Sequence, residues 1–219
     1  MILSVSVVTG FAGFAGSACS PSAVRSSSTA ASGPPTHAGD QARHDVQAII
    51  DKLGAAADTT YTAEYALLDG NAVTVSQAPP LHAYRGLGVT YLLSPDESTV
   101  CTGDPVKCAV APGADTVSPA SSKAITTAFG GRFATPEDVA ARLAAVVNQP
   151  ASRTGRGSRT IGGGTVDCVA VTASGISPQT ACVTPSGVLA YFAAGSVRVE
   201  LHAYRPSVPA GAFSPPAAR

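Results

Sequence analysis

Five cysteines are the residues of this chain whose type and spacing point most directly to chemistry. Four of them form two close pairs. Cys101 and Cys108 bracket Thr-Gly-Asp-Pro-Val-Lys, and Cys168 and Cys182 bracket a loop containing Gly175 and Pro178. Each pair flanks turn residues between stretches that read as strands, and neither has the spacing of a redox or zinc motif. In an oxidising compartment local pairing gives two disulfides, each stabilising by about 2 to 4 kcal/mol in the chain-entropy account. Four cysteines allow several connectivities, and the local one is preferred because it staples hairpins. Cys19 is then left over. An odd cysteine in an exported chain is a free thiol, a link to another chain, or a site of covalent modification.

What precedes Cys19 favours modification. Residues 1–18, MILSVSVVTGFAGFAGSA, are uncharged and apolar and end in small side chains, as the core and cleavage region of a secretory signal do. No Lys or Arg precedes the apolar stretch, which leaves open a true start upstream of Met1. Gly16-Ser17-Ala18-Cys19 resembles a bacterial lipobox, in which the cysteine is acylated and becomes the new N-terminus; Gly16 stands where that pattern favours Leu. Gly-Ser-Ala also suits ordinary signal peptidase, so secretion without lipid is the alternative. Residues 20–39, SPSAVRSSSTAASGPPTHAG, offer almost nothing to bury and are expected to be disordered. Such a tether has an r.m.s. reach of roughly 25 Å. The expected organisation is a signal peptide over 1–18, a lipidated Cys19 with its tether over 19–39, and a folded domain over 40–219.

Other chemistry is sparse. The chain has no G-x-S-x-G elbow, no H-E-x-x-H and no phosphate loop, and TGRGSRTIGGG fails the dinucleotide pattern because Thr160 stands where the third glycine belongs. Glu137 and Asp138 read as acids of a first helical turn, and Asp96 and Glu97 as a polar turn after Pro95. No catalytic residue, cofactor or metal is expected. Arg153, Arg156 and Arg159 read as solvated cations in a flexible Gly-rich loop, with contact to anionic headgroups as the alternative. The pentapeptide LHAYR occurs at 81–85 and again at 201–205. Alternation puts its Leu and Ala on one face and its His and Tyr on the other, the ordinary pattern of a half-buried sheet, so His82 and His202 are not read as a shared metal site. A formal net charge of zero argues against nucleic acid as a partner. No apolar run reaches the roughly 20 residues of a spanning helix.

The positioning elements follow from periodicity. An amphipathic helix starts near Asp40 as N-cap, carries Val46, Ile49, Ile50 and Leu53, and stops near Gly54. From residue 60 the period becomes two: strands over 61–67 and 73–77 turn at Asp69-Gly70-Asn71, and further strands over 81–85, 88–93 and 98–101 make a meander. Ser118-Pro119 opens a short helix with Ile125 and Phe129, and Thr135-Pro136-Glu137-Asp138 opens a stronger one. Val139, Leu143, Val146 and Val147 form its apolar stripe, and Pro150 ends it. Strands return over 165–172, 181–184, 188–193 and 196–204. The fold class is α+β.

From about Asp40 to its end the chain resembles the actinobacterial lipoproteins of the LolA/LppX/LprG type. The resemblance is carried by Tyr61-Thr-Ala-Glu-Tyr65, by Ala78-Pro79-Pro80, by the VDCV and ACVTPSGVLAYF segments, and by the terminal VPAGAFSPPA. It is diffuse and covers nearly all of the mature chain. It implies a half-barrel, a curved antiparallel sheet whose concave face is closed by helices around an apolar cavity for acyl chains, with no catalytic residues. Independently, a curved sheet must cover its inner face, and the helices from Asp40 and Thr135 are the available lids. Val197, Val199, Leu201 and Ala203 are expected inward, with Arg198, Glu200, His202 and Tyr204 outward; Tyr65, Leu67, Val89, Tyr91 and Leu93 are further inner-face candidates. The expected ligand-contacting set is Tyr65, Leu67, Val89, Tyr91, Leu143, Val146, Val199 and Leu201. With six Phe and no Trp, the small inner side chains leave room for cargo. The expected function is a monomeric lipoprotein, anchored at the outer face of the cell membrane, that holds a lipid or other hydrophobic ligand. A tethered interaction or sensor ectodomain with a filled core is the alternative.

Overall fold

Strand-forming alternation dominates the chain between its helices, and in the computed structural model, which describes residues 36–113 and 117–216, it produces one large sheet. Cys19, the signal segment and the tether up to residue 35 lie outside the described residues. The first strand, β1 (Thr36–Ala38), precedes α1 (Asp40–Ala55), so ordered structure begins before the expected Asp40. Six strands follow: β2 (Tyr61–Leu67), β3 (Ala72–Ala78), β4 (Leu81–Gly86), β5 (Val89–Leu93), β6 (Glu97–Thr102) and β7 (Lys107–Pro112). Two helices, α2 (Pro119–Ala128) and α3 (Pro136–Val147), lead into β8 (Arg153–Ile161), β9 (Gly164–Ala173), β10 (Ile176–Val183), β11 (Leu189–Ala194) and β12 (Val197–Arg205). The strand order is β1-β8-β9-β10-β11-β12-β2-β3-β4-β5-β6-β7. Every pairing is antiparallel, and the end strands β1 and β7 do not meet. The architecture is therefore α+β with an unclosed sheet built from two meanders that β12 and β2 join.

The helix starts are written in local chemistry. Ser118 accepts from the Ser121 N–H while the Ser121 side chain accepts from the Ser118 N–H, a capping box, and Pro119 follows at the first helical position. At α3 the Thr135 hydroxyl accepts from the Asp138 N–H, Pro136 follows, and Glu137 and Asp138 complete the first turn. The start of α1 differs from expectation. Gly39, at φ 64°, is its N-cap, and Asp40 lies inside the first turn beside Arg43. Gly54 does not stop the helix, which runs to Ala55 and tightens into a 3₁₀ turn over Ala56–Asp58. The turn between β10 and β11 lies so close to this end that a Cβ on Gly187 would stand 2.1 Å from the Lys52 carbonyl oxygen.

One hydrophobic cluster joins the helices to the sheet. It includes Val46, Ile49 and Leu53 of α1, Ile125 and Phe129 of α2, and Val139, Leu143, Val146 and Val147 of α3. The sheet contributes Tyr61, Ala63, Tyr65 and Leu67 of β2 and Val197, Val199 and Leu201 of β12. Phe133, between α2 and α3, lies with its ring centroid 5.9 Å from Tyr65, 6.1 Å from Tyr84 and 5.7 Å from Phe129, at the tilted angles aromatic pairs favour. Along β12 the expected parity is observed as far as Leu201, with Arg198 and His202 exposed.

Two expectations are corrected. The stretch read as a flexible Gly-rich loop is β8, paired residue for residue with β9 from Arg153↔Thr172 to Ile161↔Gly164. Gly162 and Gly163, at φ 58° and 81°, make its two-residue turn, which a side chain at either position would strain. The first LHAYR copy is reversed: β3–β4 pairing sets Val75 opposite Tyr84 and Gln77 opposite His82, so His82 and Tyr84 face the helix side. Both local disulfides are formed. Cys101 lies directly opposite Cys108 across β6–β7, and Cys168 opposite Cys182 across β9–β10, each pair with Cα atoms 4.0 Å apart.

Candidate functional site

Three distant parts of the sequence leave a hole where they meet. The C-terminal half of α1 and its 3₁₀ turn, the Pro79–Pro80 turn between β3 and β4, and the first turns of α3 border a cavity of about 540 Å³ that opens to solvent. Ile50, Leu53, Val117, Pro136 and Ala140 supply an apolar wall, with exposed Ala57, Pro79 and Pro80 at the rim. The polar lining consists of Asp58, His82 and Glu137, and among the described residues no Lys or Arg contributes. Gly54 faces open space, since a Cβ added there would meet nothing within 4 Å.

Each wall is held by specific bonds. Gln77 Nε2 donates toward the carbonyls of Ala56, Ala57 and Thr59 at 2.8, 2.8 and 3.0 Å, tying β3 to the 3₁₀ turn. Gln77→Leu is expected to cost about 1 to 2 kcal/mol, because those carbonyls lose a shared donor at a buried position. Urea titration checks this, and an unchanged midpoint would show that water replaces the amide. The N-terminus of α3 is fixed by the Thr135 cap, whose hydroxyl also lies 2.6 Å from Ser122 Oγ of α2.

Electrostatics single out two lining residues. His82 is 5% exposed, and its Nδ1 has no hydrogen-bond partner among the described residues. Burial holds its imidazole below the ordinary value, so the ring is neutral at neutral pH. Glu137 Oε2 also has no partner among them. Burial pushes its carboxyl above the ordinary carboxylate range, hydrogen bonds from its own N–H and the Thr135 side chain pull it back, and Asp138 raises it further. Burial raises the phenols of Tyr61, Tyr65 and Tyr84, and the Glu137 carboxylate adds to that rise.

The residues expected to contact ligand lie elsewhere. Tyr65, Leu67, Tyr91, Leu143, Val146, Val199 and Leu201 belong to the buried cluster, and Val89 is partly buried against it. None of these eight lines the cavity. Val89 instead borders a separate opening with Arg85, Thr90 and Val106. Sequence reasoning gave Glu137 only a helix-dipole role and His82 only a place in an alternating strand. The available signal was the pair of Pro-containing segments, Ala78-Pro79-Pro80 and Thr135-Pro136-Glu137, but no periodicity says that two turns face one hole.

Arg156 and Arg159 of β8 have partners. Arg156 Nη1 lies 3.9 Å from an oxygen of Asp45, a fully buried carboxylate that accepts from Thr154 and Gln41, and Arg159 lies 5.0 Å from the Tyr191 ring centroid. Among the described residues no group of three or more His, Cys, Asp or Glu could hold a metal ion, and no helix is long and apolar enough to cross a membrane.

No family model matches the chain, and no curated protein does. Among solved structures it is similar to an uncharacterized conserved protein from Thermus thermophilus, at 8% identity and a TM-score of 0.47, over 78% of this chain and 93% of the other. It is also similar to MucB, at 12% identity and a TM-score of 0.46, over 80% of this chain and 64% of the other.

Proposed function

We propose that this chain is a monomeric, non-enzymatic lipoprotein, tethered through an acylated Cys19 at the extracytoplasmic face of the membrane, that binds a lipid or other hydrophobic ligand in the cavity between α1, α3 and the β3–β4 turn. The carrying observation is the cavity itself, about 540 Å³ with an apolar wall, in the size range of small-molecule sites. Burying an acyl chain is worth about 0.8 kcal/mol per CH₂, so such a wall needs no charged contact to retain cargo. In this reading the unclosed sheet is the half-barrel of the LolA/LppX/LprG type and the helices close its concave face. Both disulfides accord with an oxidising compartment outside the cytoplasm.

Native mass spectrometry and organic extraction of the protein purified from its own host are expected to show a co-purifying hydrophobic molecule. In parallel, the full chain is expected to partition into detergent with membranes, and Cys19→Ala to release it or leave it unprocessed. A second reading, an interaction ectodomain with a filled core, is favoured by the packing of Tyr65, Leu143 and Val199 into one cluster. That reading takes over if the protein is ligand-free and takes up no hydrophobic probe. An unmodified mature N-terminus by intact mass would remove the anchor.

A further inference from the structure

We infer that the C-terminal segment, residues 206–216, is a releasable strap lying in a seat for an extended, proline-rich polypeptide on the sheet face away from the helices, with Arg85 of β4 as its latch. The seat is a row of directly paired residues: Thr62↔Ser76, Ser76↔Ala83, Ala83↔Leu92 and Leu92↔Thr99 carry it from β2 to β6. Their neighbours along the strands, Ala63, Val75, Tyr84 and Tyr91, belong to the cluster that packs against the helices, so alternation sends the row to the opposite face. All five row members are nonetheless 8% exposed or less, whereas the next, Val110 of β7, is 64% exposed. The strap is what reaches them. The Thr62 hydroxyl donates to the Ser207 carbonyl at 2.8 Å, and Arg85 Nη2 donates to the carbonyls of Ala212, at 2.9 Å, and Ser214. Further along, Phe213 and Pro215 border a small opening together with Leu92 and Thr99.

The segment is held lightly. Of residues 206–216 only Ala212 is buried, and it lies outside the main cluster. Segments with so few buried contacts open at a fraction of the global stability. Pro206, Pro209, Pro215 and Pro216 deny it the amides of a ladder, so it crosses the strands without joining the sheet, and they stiffen it, so less entropy is gained when it leaves. Beneath it lie Thr, Ser, Ala, Leu and Thr, of which only Leu is a large apolar side chain, so water replaces the strap at little cost. From the strap Arg85 takes main-chain carbonyls alone; its other bond is to Thr90 Oγ1 at 3.4 Å, and among the described residues no carboxylate pairs with it. A latch of that kind reads backbone shape, so the seat accepts an extended segment of another chain that offers carbonyls at the same spacing and a small side chain where Ala212 stands. While closed, the strap competes at an effective concentration on the order of millimolar and keeps such a segment out.

The chain has no Trp, so Phe213→Trp supplies a single fluorescent reporter on the strap. In this full-length background Arg85→Ala is expected to move the emission to that of a solvent-exposed indole while the far-UV circular dichroism and the cooperative melt are kept. The seat is tested separately with a labelled synthetic peptide of residues 206–216, followed by fluorescence anisotropy. Ala212→Arg, which ejects the strap in cis and leaves the seat intact, is expected to bind the peptide at least about tenfold more tightly than the unaltered protein, and adding Arg85→Ala is expected to remove that binding. An unchanged emission in Arg85→Ala overturns the latch. Loss of the cooperative melt in Arg85→Ala or Ala212→Arg overturns the releasable strap, because the segment is then part of the core. A folded Ala212→Arg that does not bind the peptide overturns the seat. None of these readouts depends on cargo in the cavity between α1 and α3, so their failure leaves the hydrophobic-ligand reading standing.

Discussion

Ala140→Trp is expected to abolish uptake of a neutral hydrophobic probe while the protein stays folded, and Leu143→Trp, one turn further along α3, is expected to destabilise it strongly. The two positions differ in what lies beyond the side chain. Ala140 is partly buried and lines the cavity of about 540 Å³, so an indole there fills empty space and displaces cargo. Leu143 is 0% exposed, packed into the cluster with Val139 and Val146. Enlarging a side chain in a close-packed interior costs about 1 to 3 kcal/mol and more for a change this large, against a total stability on the order of 5 to 15 kcal/mol. Probe titration followed by thermal melting of both variants separates the outcomes. Unchanged uptake by Ala140→Trp would mean that the occupant lies elsewhere. A folded Leu143→Trp that has lost uptake would restore the inner sheet face as the ligand surface.

The cavity was hard to read from sequence for a physical reason. Periodicity reports which face of an element is buried, and it placed Leu143, Val146, Val199 and Leu201 on buried faces, where they are. It does not report where two buried faces fail to touch. That failure arises here at element ends: the first turns of α3, the 3₁₀ turn after α1 and the Pro79–Pro80 turn each satisfy their own local rules and leave a gap between them. The helix starts at Ser118 and Thr135 were legible because capping acts within four residues. Strand β8 was not, because only Thr154 among its residues is buried and Gly and Arg carry little strand signal; its place is set by pairing with β9 on one side and β1 on the other. Strand β7 is exposed throughout and gave no alternation for the same reason.

The first LHAYR copy shows how such a gap acquires chemistry. Identical pentapeptides took opposite faces, because the partner strand sets parity and a one-residue slip exchanges the two faces. In β12 Leu201 enters the core and His202 is exposed, whereas in β4 the pairing with β3 turns His82 inward beside Gln77. Gln77 spends its amide on the 3₁₀ turn, and His82 lines the cavity with its Nδ1 buried and without a partner among the described residues. The polar character of the site is thus a product of register and could not be assigned from the pentapeptide itself.

Removing the Cys168–Cys182 bridge by substituting both cysteines with Ala is expected to cost about 3 kcal/mol of global stability, and removing Cys101–Cys108 distinctly less. Loop length contributes part of the difference. The bridges close separations of 14 and 7 residues, and a doubling of loop length is worth only about 0.6 kcal/mol. Position contributes the rest. Cys182 is 0% exposed and Cys168 is 7% exposed within the main cluster, on strands against which α1 and α3 pack, so opening β9–β10 disturbs the core. Cys108 lies on β7, an exposed strand at the end of the sheet, where release frays the edge and leaves the rest folded. Denaturant titration of the two double variants gives the global values, and hydrogen exchange locates the loss. The Cys101–Cys108 variant is expected to lose protection in β6 and β7 with a small shift in midpoint, and the Cys168–Cys182 variant to lose protection throughout. Equal midpoint losses would show that loop closure alone governs both bridges, and a larger loss at Cys101–Cys108 would mean that β7 is integral to the fold.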